Sequence, residues 1–265
     1  MREAAEAARE LAREGARVAL EHAGKVTARD KGGNLGPVTE ADYAIERVVV
    51  AGLRARFPRD PILSEESPDG VDLRARRLWC VDPLDGTREF LERLPGPSVM
   101  VGLLLDGEPV AGAIAVPGPG WLFWGHRGGG AHAEIGGAGV PVALPHAACL
   151  AEATALHSRR HDSRRVRAVM ERLRPARTVA VGGVGYKVCS LLRGEGHLYC
   201  HPGSGVAWWD TVAPVAVFRA AGGFVANAQG SPLRYEGSYD HATGVLFAVP
   251  ELAAEAVGRL TSTSS

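Results

Sequence analysis

Apolar residues recur at helical spacing along the first two dozen positions, where Ala8, Leu11, Ala12, Val18 and Leu20 punctuate an Ala-, Glu- and Arg-rich stretch that Gly24 closes. The pattern predicts a helix from Met1 to about Gly24. Lys25 to Gly36 is polar and glycine-containing and reads as a loop. Thr39-Glu40-Ala41-Asp42 then has the form of a capping box, and it opens a helix with Ile45, Val48, Val49 and Leu53 on one side. Pro61 to Ser64 reads as a short strand leading into Glu65-Glu66-Ser67. Leu78 to Val81 reads as the end of a buried strand.

From Val99 to about Glu134 the spacing changes to β-prone runs separated by turns: Val99 to Leu105, Asp106-Gly107, Val110 to Val116, Trp121 to Gly125 and the turn Gly128-Gly129-Gly130. Antiparallel hairpins are the expectation. After Pro145 the pattern changes again, to alternating strands and helices. Strands are predicted at Ala153 to Leu156, Thr178 to Val181, Leu198 to Cys200, Phe224 to Ala226 and Val245 to Ala248. Helices are predicted at His161 to Leu173, Lys187 to about Arg193, Asp210 to Ala221 and Glu251 to Leu260. This change predicts an N-terminal α+β subdomain over 1–150 and an α/β subdomain over 151–265, packed together with a cleft between them.

Composition narrows the function classes. With 265 residues, 46% of them hydrophobic, the chain can bury a substantial core, and a formal net charge of zero provides no field to gather a polynucleotide. The longest apolar runs fall far short of a membrane span and the first residues lack the apolar core of a signal peptide, so a cytoplasmic protein with no membrane partner is expected. Cys80, Cys149, Cys189 and Cys200 stand singly, with no paired spacing. Free thiols are therefore expected rather than disulfides or a metal knuckle.

The densest chemistry lies in Val81-Asp82-Pro83-Leu84-Asp85-Gly86-Thr87. Pro83 holds Asp82 extended, and Asp82 and Asp85, read as lying across a turn, can point at one locus with the Leu84 carbonyl as a further oxygen. An oxygen-only set suits Mg²⁺ or Mn²⁺ and does not suit zinc. Gly86 allows a ligand close to the backbone, so the Gly86 and Thr87 amides could hold an anion. Of the adjacent Glu65 and Glu66, one at most can face the same site from an extended chain. Asp210 follows Trp208-Trp209 and reads as an N-cap. The tryptophans imply a buried helix start, where a metal would compensate the carboxylate.

Taken together, Pro37-Val38-Thr39-Glu40-Ala41-Asp42, Ser64-Glu65-Glu66-Ser67, Asp82-Pro83-Leu84-Asp85-Gly86-Thr87 and Trp209-Asp210-Thr211-Val212-Ala213 resemble the ordered motifs of the inositol monophosphatase superfamily. The resemblance implies a layered α and β sandwich (αβαβα) and a metal-dependent phosphoric monoester hydrolase. It implies Glu65, Asp82, the Leu84 carbonyl, Asp85 and Asp210 as metal ligands, with Thr87 activating water beside Glu65 and the helix acid Asp42. A homodimer acting on a small phosphorylated metabolite is expected.

Within the superfamily, Thr87-Arg88-Glu89-Phe90, Ser158-Arg159-Arg160-His161 and Gly185-Tyr186-Lys187-Val188-Cys189 resemble the CysQ-type branch of 3′(2′),5′-bisphosphate nucleotidases, which act on adenosine 3′,5′-bisphosphate. Gly86, Thr87, Ser158, His161 and Lys187 are accordingly candidates for substrate binding. The branch carries Ser-Arg-Ser-His and Gly-Ser-Ser-x-Lys. This chain has Arg160 in place of the second serine and Gly182-Gly183-Val184-Gly185-Tyr186-Lys187 in place of the other segment. An inositol-1-phosphatase, a fructose 1,6-bisphosphatase and a metal-binding regulatory protein without turnover are the alternatives.

Overall fold

The computed structural model describes residues 1–30, 37–159 and 164–262. Helices α1 (Arg2–His22) and α2 (Glu40–Arg56) are linked through a short antiparallel ladder of β1 (Arg29–Asp30) and β2 (Pro37–Val38). A seven-stranded sheet follows in the spatial order β3 (Ile62–Ser64), β4 (Arg77–Asp85), β5 (Ser98–Leu105), β6 (Glu108–Val116), β7 (Trp121–His126), β8 (Gly130–Ile135) and β9 (Ala138–Val140). The short α3 (Thr87–Leu91) leaves the end of β4. From β4 to β9 every pairing is antiparallel, as the alternation of runs and turns predicts. Asp106 and Gly107 both take positive φ in the β5–β6 turn, which is why Asp-Gly stands there.

The remaining elements are β10 (Thr154–Ser158), α4 (Arg164–Leu173), β11 (Arg177–Val181), α5 (Val184–Leu192), β12 (Leu198–His201), α6 (Trp208–Ala220), β13 (Phe224–Ala226), β14 (Val245–Ala248) and α7 (Ala253–Thr261). Their strands form a second sheet ordered β11-β10-β12-β14-β13. Strand β10 runs parallel to β11 and β12, and β14 runs antiparallel to β12 and β13.

Three apolar clusters stack these elements into five layers. Leu11 of α1 and Ile45, Val49 and Leu53 of α2 pack on Trp79, Val81, Val99 and Val101 of the large sheet. The opposite face of that sheet, through Leu78, Cys80, Met100 and Ile114, meets Val188 and Leu191 of α5 and Val212 and Val215 of α6. The same helices also cover Leu156, Tyr199 and Phe247 of the second sheet. The far side of the second sheet, with Leu198, Cys200, Leu246 and Ala248, packs on α4 and α7 through Val169, Leu173, Ala256 and Leu260. Leu198, Tyr199 and Cys200 divide between two clusters because successive side chains of a strand point to opposite faces. The order is α, β, α, β, α, the predicted sandwich.

A row of glycines sets the middle layer. Gly102 pairs with Gly112 across β5 and β6, and Gly112 pairs with Gly125 across β6 and β7. A Cβ at Gly102 would lie 2.5 Å from the Ala213 nitrogen, one at Gly112 2.7 Å from the Ala213 Cα, and one at Gly125 2.9 Å from the Ala220 Cβ. Three strands thus present a trough without side chains, and α6 lies in it against the backbone. Close seating of α6 fixes where its first turn, and therefore Asp210, meets the large sheet.

Several boundaries differ from the sequence reading. Strand β4 continues to Asp85 rather than ending at Val81, and α5 begins at Val184, so Lys187 lies one turn into that helix instead of opening it. Val48 is half-buried beside the core that Ile45, Val49 and Leu53 enter. The last helix proper begins at Ala253, after a 3₁₀ turn at Pro250–Leu252. The predicted start of α4 at His161 lies outside the described residues. All four cysteines are free. Among the described residues, no helix is long and apolar enough to cross a membrane.

Candidate active site

In a regular strand, residues three apart point to opposite faces, so Asp82 and Asp85 would diverge. Strand β4 avoids this with a bulge: Asp82 pairs with Met100 and Asp85 with Ser98, leaving two residues between them on β4 against one on β5. The extra residue falls where Pro83, which has no amide proton to donate, interrupts the ladder. Both carboxylates therefore emerge toward the middle layer. Asp210 reaches the same place from α6, where it occupies the third helical position and not the N-cap. Its Oδ2 accepts from the amide of Ala207, the actual cap residue, at 2.6 Å. Asp82, Asp85 and Asp210 each offer an oxygen within 4.8 Å of the others.

Each of the three acids is held by the backbone. Asp82, 1% exposed, accepts the Leu84 amide at 3.0 Å. Asp85 accepts the Ser98 hydroxyl at 3.1 Å and the Gly185 amide at 2.8 Å, the latter from the first turn of α5. Burial pushes all three carboxyl groups up. Asp82 is raised further by Glu65, Asp85 and Asp210, and Asp210 further by Asp85 and Glu65. Asp85 rises to about 6, burial being opposed by Lys187, the Gly185 amide and Ser98. Crowded, desolvated carboxylates with only oxygen donors fit a hard divalent cation, which would relieve both their repulsion and their burial cost.

Glu65 lines the same cleft, from the chain just beyond β3, and its amide donates to the Val81 carbonyl at 3.2 Å. Glu66 is not among the described residues that line it. Asp42 both caps α2 and reaches Thr87. Its Oδ2 accepts from the Thr39 amide at 2.8 Å and the Thr39 hydroxyl at 2.6 Å, completing the capping box of α2, while Oδ1 accepts from the Thr87 hydroxyl at 3.1 Å. The Thr87 hydroxyl is also 3.1 Å from the Leu84 carbonyl oxygen. Burial raises the Asp42 carboxyl against the pull of these donors. Gly86, with φ +82, is the N-cap of α3 and turns the chain from the bulged strand into that helix.

The opposite wall comes from the second sheet and α5. Ser158 and Arg159 at the end of β10 line the cleft, and an Arg159 guanidinium nitrogen donates to the Pro95 carbonyl at 3.3 Å. His161 lies outside the described residues, as does Arg160. Lys187 lines the wall at only 1% exposure. Its ammonium donates to the Gly182 carbonyl and sits 4.9 Å from the centre of the Tyr199 ring. Burial lowers it to about 8, with Asp85, Glu89 and Asp210 pulling the other way. The glycines of 182–185 have a steric reason: a Cβ on Gly183 would run into the Asp85 carboxylate, and one on Gly185 into the Ser98 hydroxyl. The cleft encloses about 340 Å³, room for a small metabolite.

Sequence patterning does not single out Ser98, Tyr199 or Asp240, all at or beside this cleft, and it names Trp209 and Gly183 only as parts of longer segments. The one available signal for Ser98 is a lone hydroxyl opening an otherwise apolar strand.

Residues 1–262 match the inositol monophosphatase family. The 3′(2′),5′-bisphosphate nucleotidase CysQ of Escherichia coli strain K12 is 34% identical over 204 residues, covering 75% of this chain and 79% of that protein. The 3′(2′),5′-bisphosphate nucleotidase 1 of Rattus norvegicus is 28% identical over 250 residues, covering 80% and 78%. Among solved structures, an inositol monophosphatase from Zymomonas mobilis superposes with a TM-score of 0.78 at 26% identity, covering 97% of each chain. Enzymes of this family use divalent metals and act on small phosphorylated metabolites. The chain belongs to the inositol monophosphatase family and is a phosphomonoester hydrolase.

Proposed function

We propose that the protein is a Mg²⁺-dependent 3′(2′),5′-bisphosphate nucleotidase that hydrolyses adenosine 3′,5′-bisphosphate to AMP and phosphate, with Mn²⁺ able to replace Mg²⁺. The observation that carries the reading is one cleft with two differently charged walls: Asp82, Asp85, Asp210 and Glu65 on one side, Lys187 and Arg159 on the other. A substrate with one phosphate to cleave and a second to be held has a use for both. The bisphosphate nucleotidases at 28% and 34% identity support the same choice.

Glu65, Asp82, the Leu84 carbonyl, Asp85 and Asp210 would hold the metal. A divalent cation bound there supplies charge that neutralises phosphate oxygens and acidifies water. The Thr87 hydroxyl, donating its proton to Asp42, keeps lone pairs free to accept from a water molecule and aim it in line with the scissile bond. As the water oxygen bonds to phosphorus, the water would give a proton to the Thr87 oxygen while Thr87 passes its own to Asp42, whose carboxyl is raised by burial. The ester oxygen leaves with the bond electrons and is protonated by solvent. Gly86 and Thr87 amides and Ser158 would orient the phosphate being cleaved, and Lys187, with His161, would face the second phosphate. The enzyme would work as a cytoplasmic homodimer.

The inositol-1-phosphatase reading draws on Val184 and Gly185, which place no hydroxyl where the nucleotidase branch carries two. A panel of adenosine 3′,5′-bisphosphate, inositol-1-phosphate and fructose 1,6-bisphosphate, compared by kcat/KM, separates the readings. Preference for the nucleotide supports the proposal; preference for either of the others overturns it.

A further inference from the structure

We infer that the Tyr199 hydroxyl is a donor to an oxygen of the phosphoryl group being cleaved, on the Asp85 and Asp210 side of the cleft. The inference rests on the reading above in placing that phosphate beside the acidic wall, and it holds for a nucleotide and an inositol phosphate alike. Among the described residues, buried side-chain atoms without a hydrogen-bond partner belong to Arg9, Ser64, Ser190, Tyr199 and Tyr235. Of these residues, Tyr199 is the one that lines the cleft.

Strand β12 fixes the ring. Tyr199 pairs with Leu156 of β10 and Phe247 of β14, so its backbone is held from both sides within the second sheet. The Phe247 ring lies nearly parallel to it, with centres 6.1 Å and planes 14° apart, and the Lys187 ammonium sits 4.9 Å from its centre. At 1% exposure the side chain is aimed by packing, while no bond within the fold holds its hydroxyl. Burial, with Asp210 and Asp85 nearby, pushes the phenol well above its ordinary value, so it stands in the site as a proton donor.

A buried hydroxyl left unpaired is costly, and one kept beside an active site calls for a partner that the polypeptide does not supply. The Tyr199 oxygen has almost no surface open to bulk water, so whatever meets it must be anchored by other contacts, as a phosphate on the acidic wall is. The neighbouring carboxylates already have donors: Ser98 and the Gly185 amide on Asp85, and the Ala207 amide on Asp210. Their remaining lone pairs are those that a divalent cation would take. A phosphate oxygen arriving there brings charge, and a phenol can stabilise it without the repulsion that an ammonium in the same place would exert on the cation.

The test is Tyr199→Phe, which keeps the ring and removes the oxygen. The melting temperature of the metal-free variant should equal or exceed the parent's, because the hydroxyl has no partner in the fold to lose. With Mg²⁺ present, the calorimetric Kd of inorganic phosphate should weaken by about ten- to a hundredfold, the worth of a hydrogen bond to a charged acceptor. On adenosine 3′,5′-bisphosphate and on inositol-1-phosphate alike, kcat/KM should fall by a similar factor, since both carry the group that is cleaved. The Kd of Mg²⁺ measured without phosphate should stay within about twofold of the parent's. A melting temperature lowered by more than about 2 °C would place the partner inside the fold and overturn the inference. A loss confined to the bisphosphate would overturn it in favour of the second phosphate, and Mg²⁺ affinity weakened as much as phosphate affinity would do so in favour of a group that orients the metal's ligands. Phosphate affinity and kcat/KM both kept within about twofold would leave the hydroxyl without a ligand and overturn it as well. The parent's preference among substrates tests the nucleotidase reading separately, because each variant value is compared with the parent on the same substrate.

Discussion

The two walls of the cleft are built differently. On the acidic wall the side chains are the chemistry: Asp82, Asp85, Asp210 and Asp42 each project a carboxylate, and each is held by a nearby backbone amide. On the facing wall the backbone does much of the work. Gly182 to Gly185 bring the start of α5 against Asp85, and the lysine that follows turns back to the Gly182 carbonyl. The acidic wall can be recognised residue by residue, because any substitution there changes a donor. The glycine wall is defined by atoms that are missing, and only the packing shows why.

The largest effects should come from the acidic wall. Chelation should abolish phosphate release, and Mg²⁺ or Mn²⁺ should restore it, as every proposed ligand is an oxygen. Asp85→Asn and Asp210→Asn should lower kcat by about 10²- to 10⁴-fold, since several kcal/mol of transition-state charge stabilisation passes through these groups. Neither should lower the melting temperature of the metal-free protein, because an amide relieves like-charge repulsion while keeping the acceptor oxygen. A drop of many degrees would make these acids structural caps. Glu66→Gln should lose much less activity than Glu65→Gln, and equal losses would show that the wrong glutamate has been assigned.

Next in size is a change on the glycine wall. Gly183→Ala introduces a methyl group against the Asp85 carboxylate, which is already fixed by the Gly185 amide and Ser98. A shift of even 1 Å at a positioning group costs about a hundredfold in rate. The expected outcome is a loss of kcat on that scale with the melting temperature nearly unchanged. Gly112→Val is the contrasting control: it strikes the backbone of α6 at Ala213 and should destabilise the fold as well as the site. If Gly183→Ala kept full activity, the close approach of α5 would be packing without consequence for Asp85.

Lys187 provides a smaller and more selective effect. If it meets the second phosphate, one charge-assisted contact is worth roughly 1.5–3 kcal/mol, or about ten- to a hundredfold in kcat/KM. Lys187→Ala should lose that on adenosine 3′,5′-bisphosphate and far less on inositol-1-phosphate. Equal losses on the two substrates would fit a different role for this buried cation, balancing the charge of Asp85 and Asp210.

The layered order of the fold was legible because its period is plain: helical spacing in α1 and α2, hairpins from β5 to β8, then strand and helix alternation in the second half. Asp82 and Asp85 were legible as a pair from their spacing around a proline, whereas Asp210, which by itself reads as an N-cap, joined them only through the resemblance to the inositol monophosphatase motifs. The bulge at Pro83 was not, since register depends on the partner strand, and neither was the Gly102, Gly112 and Gly125 row. Three glycines in three different strands gain meaning only when pairing places them side by side. Ser98 and Gly185 share that fate, because each acts on Asp85 from a distant part of the chain.

The smallest effect is a pH dependence that distinguishes the acidic wall from a set of ordinary surface carboxylates. Asp85 has an ordinary value of 3.8 and rises to about 6 in the fold, so between these pH values the folded protein binds more protons than the unfolded chain. The stability this gives is full below about pH 4 and is lost as pH rises through about 6. At about 1.4 kcal/mol per pH unit, the loss is on the order of 3 kcal/mol. Asp82 and Asp210, raised as well, carry the same loss toward higher pH. Lys187 acts in the opposite sense, but only above about pH 8, where its folded form releases a proton that the unfolded chain retains. Buried His241, lowered to about 4 from its ordinary 6.5, gives the opposite slope below about pH 6.5. Thermal unfolding of the metal-free protein between about pH 6.5 and 7.5 should therefore show the melting temperature falling as pH rises, through Asp82 and Asp210. Saturating Mg²⁺ should flatten that slope, since a bound cation stabilises the ionised carboxylates. A metal-free protein whose stability rose steadily with pH over this range would mean that the three carboxylates are solvated and apart, and the site would have to be assembled by the substrate or the metal.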